Sequence, residues 1–179
     1  MPVTLILGGA RSGKSRYAET IALSLSENPI YIATAPLIEN DAEWMQRIEH
    51  HRNERSKNWQ LIEEEIAIVS ILKKHAMHSN VVLIDCITLW LSNLSYRDKD
   101  IDQEVEQLCD LLPTISGQVI LIANEVGMGL VPDNPEGRAF RDAQGRLNQR
   151  LAALANHVEF IAAGLPLCLK NNQLKGGKE

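Results

Sequence analysis

Residues 8–15 read Gly-Gly-Ala-Arg-Ser-Gly-Lys-Ser and match the phosphate-binding pattern of glycine, any four residues, and glycine-lysine-serine. An apolar run precedes them, and a segment with apolar residues at helical spacing follows. Glycines let the backbone turn tightly and point consecutive N–H groups at an anion. Lys14 would reach the terminal phosphates of a nucleoside triphosphate, and the Ser15 hydroxyl would hold Mg²⁺. The pattern predicts a nucleotide site but does not specify the reaction.

A second segment with reactive side chains at regular spacing covers residues 47–55, Arg-Ile-Glu-His-His-Arg-Asn-Glu-Arg. On a helix, Arg47, His51 and Arg55 would form one stripe, because residues four apart are neighbours. One interpretation is a solvated charged face in which the glutamates balance the cations. The other is a phosphate site in which a histidine between two arginines attacks phosphorus. The pattern alone leaves both interpretations open.

Several polar residues follow predicted strands. Residues 81–84 form a continuous apolar run, typical of a buried parallel strand, and Asp85 comes next. Such an acid typically assists Mg²⁺ opposite the phosphate loop, whereas a cap on the following helix is the alternative. Thr34 follows the predicted strand 29–33, at the edge where ligands bind in open α/β sheets. Glu63 ends another extended segment, and two more glutamates follow it. The three acids favour the start of a helix, or one of them faces a nucleotide sugar.

The order of these segments predicts an α/β fold in which a mostly parallel sheet is flanked by helices. We expect a P-loop nucleotide-binding fold of the RecA-like or kinase-like type, with residues 164–170 as a short edge strand. Residues 124–132 form a loop rich in glycine at the presumed carboxyl edge, which favours substrate or subunit contacts. Further helices are predicted over residues 41–55, 66–77 and 101–112.

Composition is that of an ordinary globular protein, with 45% hydrophobic and 23% charged residues in 179. We expect one domain over residues 1–170 and a flexible tail over residues 171–179. A net charge of −5 disfavours a nucleic-acid partner. No secretory signal is evident, and no apolar run approaches the roughly 20 residues that cross a bilayer. Cys86, Cys109 and Cys168 are predicted to be reduced packing residues, which favours a cytoplasmic protein.

Taken together, the segments resemble the bifunctional adenosylcobinamide kinase and adenosylcobinamide-phosphate guanylyltransferase family of cobalamin biosynthesis. The resemblance spans nearly the whole chain. It rests on residues 8–15, 31–34, 47–55, 59 with 63, 85–88, 124–132 and 141–149. Many enzymes share the phosphate loop, whereas the histidine segment combined with the glycine loop is specific.

The resemblance implies two reactions on one substrate. The first phosphorylates the terminal hydroxyl of the aminopropanol arm of adenosylcobinamide, using ATP or GTP. The second moves GMP from GTP to that phosphate through a guanylylated histidine, releasing pyrophosphate and giving adenosylcobinamide-GDP. The family also implies a homo-oligomer, namely a trimer.

The site residues that we expect divide by role. Lys14 and a histidine are catalytic, and Ser15 with Asp85 would hold Mg²⁺. The nucleotide-binding residues are Gly8, Gly9, Ala10, Arg11, Ser12, Gly13, Lys14, Ser15, Ala33, Thr34, Arg47, Arg52, Arg55, Glu63 and Asp85.

His50 and His51 are both candidates for the covalent histidine. The family spacing, Arg-Ile, two residues, His, three residues, Arg, selects His51, which is also the histidine between Arg47 and Arg55 in the stripe. His50 is offset by about 100° on a helix and stays as the alternative. A neutral imidazole can attack the α-phosphorus of GTP, and nearby guanidinium groups disfavour the imidazolium form and stabilise phosphate charge.

Two other functions compete with this interpretation. One is a monofunctional small-molecule kinase in which His51 binds phosphate without becoming covalent. The other is a nucleotide-dependent switch or interaction module whose phosphate loop regulates a partner. The histidine stripe and the glycine-rich segments favour an enzyme, which fold similarity alone would not. The sequence shows no lost motif that would indicate that one of the two family activities is missing.

Overall fold

The computed structural model describes residues 3–38, 41–54, 58–77 and 79–172, apart from the side chains of Arg47 and of residues 50–54. Within these residues, strands and helices alternate along most of the chain. The strands are β1 (Val3–Gly8), β2 (Ile30–Ala33), β3 (Gln60–Glu63), β4 (Val81–Asp85), β5 (Gln118–Asn124), β6 (His157–Ala162) and β7 (Leu165–Asn171). The helices are α1 (Lys14–Leu25), α2 (Ala42–Glu54), α3 (Ile68–His75), α4 (Ile87–Tyr96), α5 (Ile101–Leu111) and α6 (Pro135–Leu154).

The strands form one seven-stranded sheet in the order β3-β2-β4-β5-β1-β6-β7. Neighbouring strands are parallel except for β6 and β7, which are antiparallel. Ala163 and Gly164 join that pair with φ angles of 52° and 79°, as in the primed turns that match the twist of a hairpin. The predicted α/β fold, with a mostly parallel sheet and an antiparallel edge strand, is confirmed. The edge strand continues to Asn171, one residue into the predicted tail, and residues 173–179 lie outside the described residues.

Alternate residues of the buried strands pack against opposite layers of helices. On one face, Ile6 packs with Ala18 and Ala22 of α1. On the other, Leu5 belongs to a larger apolar cluster that includes residues of α3, α4, α5 and α6, such as the fully buried Trp90. Because both faces are covered, strands read as continuous apolar runs in the sequence. The polar carboxyl ends of the strands are left as the place where a site can form.

Local side-chain bonds decide where two helices begin. Asp41 caps α2 as predicted, because its Oδ1 accepts a hydrogen bond of 2.9 Å from the Trp44 N–H. The prediction of a helix over residues 66–77 was too long, since α3 covers Ile68–His75. Glu64 Oε1 accepts the N–H groups of both Ile66 and Ala67, each at 2.8 Å. That carboxylate therefore holds a turn in front of the helix and delays its start.

Gly8, the last residue of β1, has no room for a side chain. A Cβ atom there would stand 2.6 Å from Ser12 Oγ and 2.7 Å from the Ile161 carbonyl oxygen. We expect Gly8→Ala to lower the free energy of unfolding by roughly 1–3 kcal/mol, because the strand or the loop must shift. Gly9→Ala is the matched control, since nothing lies within 4 Å of its Cβ position. Urea unfolding of both variants measures the difference, and equal midpoints would contradict the steric explanation.

Candidate functional site

The loop between β1 and α1 has the geometry that the phosphate-binding pattern predicts. Gly13 precedes the helix with φ 92°, and Arg11 also adopts a positive φ, 56°. The Ser12 N–H donates to the Gly9 carbonyl oxygen at 3.3 Å. The turn between β6 and β7 supports this loop, because the Gly164 N–H donates to the Ser12 carbonyl oxygen at 2.8 Å. The predicted strand, glycine turn and helix are all present.

Lys14, the first residue of α1, is buried with only 9% of its surface exposed. Its Nζ donates a hydrogen bond of 3.0 Å to the Gly9 carbonyl oxygen, so the side chain folds back over the loop. A buried cation fixed to the loop is well placed to meet a phosphate group.

A cavity of about 290 Å³ opens at the carboxyl edge of the sheet, next to the loop. Its lining residues come from the start of α1, from β2 and the segment after it, from the carboxyl ends of β3 to β5, and from α2 and α4. They include Lys14, Ser15, Tyr31, Ala33, Trp44, Ile48, Glu63, Asp85 and Asn124. The predicted residues from four separate segments therefore share one cavity.

Glu63, Ala33 and Asp85 form one row across three parallel strands. Ala33 of β2 is in register with Glu63 of β3 on one side and with Asp85 of β4 on the other. Adjacent strands lie about 4.8 Å apart, so the two carboxyl-bearing residues flank the small alanine on the same edge. The row confirms that these segments end at one place, while their contacts with a nucleotide stay a prediction.

Ser15 and Asp85 fit the magnesium ion that the phosphate loop implies. Both line the cavity that contains Lys14, and a hydroxyl and a carboxylate are the oxygen donors that Mg²⁺ accepts alongside phosphate oxygens. The alternative role for Asp85, as the cap of α4, is wrong. Cys86 is the N-cap, and its Sγ accepts a hydrogen bond of 3.5 Å from the Leu89 N–H.

Thr34 lies at the carboxyl edge as expected, but its side chain is fully buried. The Thr34 Oγ1 donates to the Cys86 carbonyl oxygen at 2.8 Å and accepts from the Cys86 N–H at 2.7 Å. Asn93 Nδ2 donates to the Thr34 carbonyl oxygen at 2.8 Å. Thr34 therefore ties β2 to the junction between β4 and α4, and its predicted nucleotide contact remains untested.

The helix α2 brings the histidine segment to the side of the cavity. Trp44 and Ile48, one turn apart on this helix, line the cavity, and Trp44 Nε1 donates to the Pro36 carbonyl oxygen at 2.8 Å. His51 follows Ile48 by three residues, a rise of about 4.5 Å along the helix axis. Arg55 lies outside the described residues, as do the side chains of Arg47, His50, His51 and Arg52.

Two of the three cysteines are packing residues, as predicted, and one is not. Cys86 and Cys109 are buried, whereas Cys168 on β7 is exposed. Burial, reinforced by the negative charge of Asp85, raises the pKa of the Cys86 thiol to about 12. A neutral thiol at the cavity wall is a poor nucleophile, which makes Cys86 unsuited to phosphorus attack near neutral pH.

The glycine-containing loop after β5 leaves the sheet beside the phosphate loop. The Glu125 N–H donates to the Gly8 carbonyl oxygen at 3.0 Å, and Asn124 lines the cavity. Farther along, Met128 and Leu130 are 80% and 96% exposed. The base of the loop therefore belongs to the site, and its apolar tip faces outward.

The comparisons with known proteins agree with this geometry. The family model described as cobinamide kinase / cobinamide phosphate guanyltransferase matches residues 4–169. The chain belongs to this family. The bifunctional adenosylcobalamin biosynthesis protein CobP of Pseudomonas aeruginosa is 42% identical over 172 residues, which cover 95% of this chain and 98% of that protein. The CobU proteins of Escherichia coli K12 and Salmonella typhimurium LT2 are 37% and 34% identical, each over 93% of this chain and 98% of the relative.

Membership of the cobinamide kinase / cobinamide phosphate guanyltransferase family confirms the resemblance seen in the sequence. It also confirms the enzyme class, a bifunctional kinase and guanylyltransferase. Among the described residues, no helix is both long enough and apolar enough to span a membrane.

Several residues of the cavity were missed by reasoning from the sequence. Tyr31 lies within a predicted strand, but the sequence does not show which residue its hydroxyl bonds to. Trp44 and Ile48 carry a recognisable signal, because they lie three residues before Arg47 and His51, on the same helix face as the histidine stripe. Glu64, one of three consecutive glutamates, lines the cavity and accepts hydrogen bonds from two backbone N–H groups.

Proposed function

We propose that this chain phosphorylates the aminopropanol hydroxyl of adenosylcobinamide and then converts the phosphate to adenosylcobinamide-GDP. The observation that carries the proposal is the shared cavity, in which the phosphate-loop residues Lys14 and Ser15 meet Asp85 and the wall formed by α2. The names of the relatives place them in adenosylcobalamin biosynthesis. A homotrimer in the cytoplasm is part of the same proposal.

In the kinase reaction the protein positions the nucleotide and compensates charge. The loop N–H groups and Lys14 bind the phosphates of ATP or GTP, and the substrate hydroxyl attacks the γ-phosphorus. The bond from that phosphorus to the bridging oxygen breaks, the nucleoside diphosphate leaves, and the hydroxyl proton passes to solvent. Ser15 and Asp85 would hold Mg²⁺, which would supply positive charge to compensate the phosphate oxygens. Glu63 is in register with Ala33 and lines the cavity, and in this proposal it contacts the nucleoside part.

In the guanylyltransferase reaction His51 is the acceptor. A neutral imidazole nitrogen attacks the α-phosphorus of GTP, the bond to the bridging oxygen breaks, and pyrophosphate leaves. The arginines of residues 47–55, namely Arg47, Arg52 and Arg55, stabilise charge on the phosphates. A phosphate oxygen of adenosylcobinamide phosphate then attacks the GMP group, and the P–N bond breaks to restore His51. His50 is the alternative nucleophile.

Product analysis tests this proposal directly. The purified chain is incubated with adenosylcobinamide, Mg²⁺ and ATP, and then with GTP added, and the corrinoid products are identified by mass spectrometry. We expect adenosylcobinamide phosphate with ATP alone and adenosylcobinamide-GDP after GTP is added. Phosphate product alone under both conditions would support the monofunctional kinase, and no corrinoid product would support the switch module.

A further inference from the structure

Tyr31 is a buried residue of β2 whose hydroxyl reaches the cavity. Only 1% of its surface is exposed, and its hydroxyl donates a hydrogen bond of 2.7 Å to Asp85 Oδ2. The ring packs edge-on against Trp59, with ring centroids 5.2 Å apart. A phenylalanine would fill the same apolar space, so the hydroxyl is explained by its carboxylate partner.

The backbone around Asp85 is held independently of Tyr31. The Thr34 N–H donates to the Asp85 carbonyl oxygen at 3.1 Å. Thr34 Oγ1 binds both the N–H and the carbonyl oxygen of Cys86, the next residue. With the main chain fixed on both sides, the freedom that remains to Asp85 is rotation of its side chain. The hydrogen bond from Tyr31 restricts that rotation.

We propose that Tyr31 is a positioning residue, which orients the Asp85 carboxylate for the cation that accompanies the nucleotide. The inference rests on the proposed function, because it takes Asp85 as the acid that assists Mg²⁺. A ligand carboxylate held by an outer hydrogen bond binds a cation more tightly than one that samples several rotamers. Because the Tyr31 hydroxyl is neutral, it orients the carboxylate without adding charge beside the buried Lys14.

The test is the Tyr31→Phe variant, which removes one oxygen and keeps the ring against Trp59. Calorimetry gives the affinity for a non-hydrolysable GTP analogue in Mg²⁺ and in EDTA, and the ratio is the gain in affinity due to the cation. We expect Tyr31→Phe to reduce this gain roughly tenfold, with an unchanged affinity in EDTA. In the Asp85→Asn background, Tyr31→Phe should cause no further loss, because the two residues act together.

Tyr17→Phe is the matched control. Burial and the nearby Glu159 carboxylate raise the pKa of Tyr17 to about 12, so this tyrosine also stands beside an acid, but it does not line the cavity. The gain in affinity due to Mg²⁺ should be the same for Tyr17→Phe as for the wild type.

Three results would overturn the inference about Tyr31. In the first, Tyr31→Phe has the same gain in affinity from Mg²⁺ as the wild type. In the second, Tyr31→Phe loses the same amount of affinity in Mg²⁺ and in EDTA. In the third, Tyr31→Phe lowers the gain by a full tenfold even in the Asp85→Asn background. A wild-type chain that binds the analogue without any gain from Mg²⁺ would instead contradict the proposed kinase site, and the inference with it.

Discussion

His51→Ala is expected to abolish guanylyl transfer and to leave the kinase reaction in place. The imidazole supplies the atom that bonds to the α-phosphorus, and alanine has nothing to replace it. Loss of a covalent nucleophile typically costs at least about 10⁴-fold in rate. The phosphate loop, Lys14 and Asp85 lie on other elements and do not depend on the histidine. The measurement is the rate of formation of each corrinoid product by wild type and variant.

His50→Ala is the control for this substitution, since it removes the same side chain one position earlier on α2. We expect it to keep both activities within a fewfold of the wild type. Loss of guanylyl transfer in His50→Ala alone would move the nucleophile by one residue. Loss of both reactions in His51→Ala, with a folded protein, would show that the histidine serves nucleotide binding rather than covalent transfer.

Lys14→Ala is expected to slow both reactions, by roughly 10²- to 10³-fold, because a charged donor aimed at the transferring phosphoryl group contributes that much. Lys14 is 9% exposed and bonded to the Gly9 carbonyl oxygen at 3.0 Å, so its charge lies against the loop that would hold the phosphates. The effect should fall mainly on the catalytic rate with saturating nucleotide, for the kinase and the guanylyl transfer alike.

Lys74→Ala is the control, since Lys74 is an exposed residue of α3 outside the cavity lining. Its kinase and transferase rates should match those of the wild type. Unchanged kinase activity in Lys14→Ala would contradict the phosphate role of the lysine. A loss of the kinase reaction alone would indicate that the two reactions use nucleotide held in different ways.

Much of the fold could be predicted because its determinants are local. Buried parallel strands appear as short apolar runs such as residues 81–84, and the residue after the run marks the carboxyl edge. The antiparallel edge strand was also predictable, since Gly164 supplies the turn. The start of α3 was not, because it depends on a Glu64 carboxylate that binds backbone N–H groups instead of continuing the helix.

The site was only partly predictable, because its key bonds join residues that are far apart in the chain. The phosphate loop and Asp85 are recognised by their neighbours in sequence. By contrast, the Tyr31 hydroxyl meets Asp85 across 54 positions, and Thr34 meets Cys86 across 52. Strand order and register decide which residues of other strands lie beside those of β2, and a single sequence does not specify either.

In the proposed mechanism, GTP held by the phosphate loop transfers GMP to His51. Intact-mass measurement after incubation with Mg²⁺ and GTP, without corrinoid, tests it most directly. We expect an acid-labile adduct of one GMP on the wild type and on His50→Ala, and none on His51→Ala. An absence of adduct on the wild type, or an adduct that persists on His51→Ala, would contradict it.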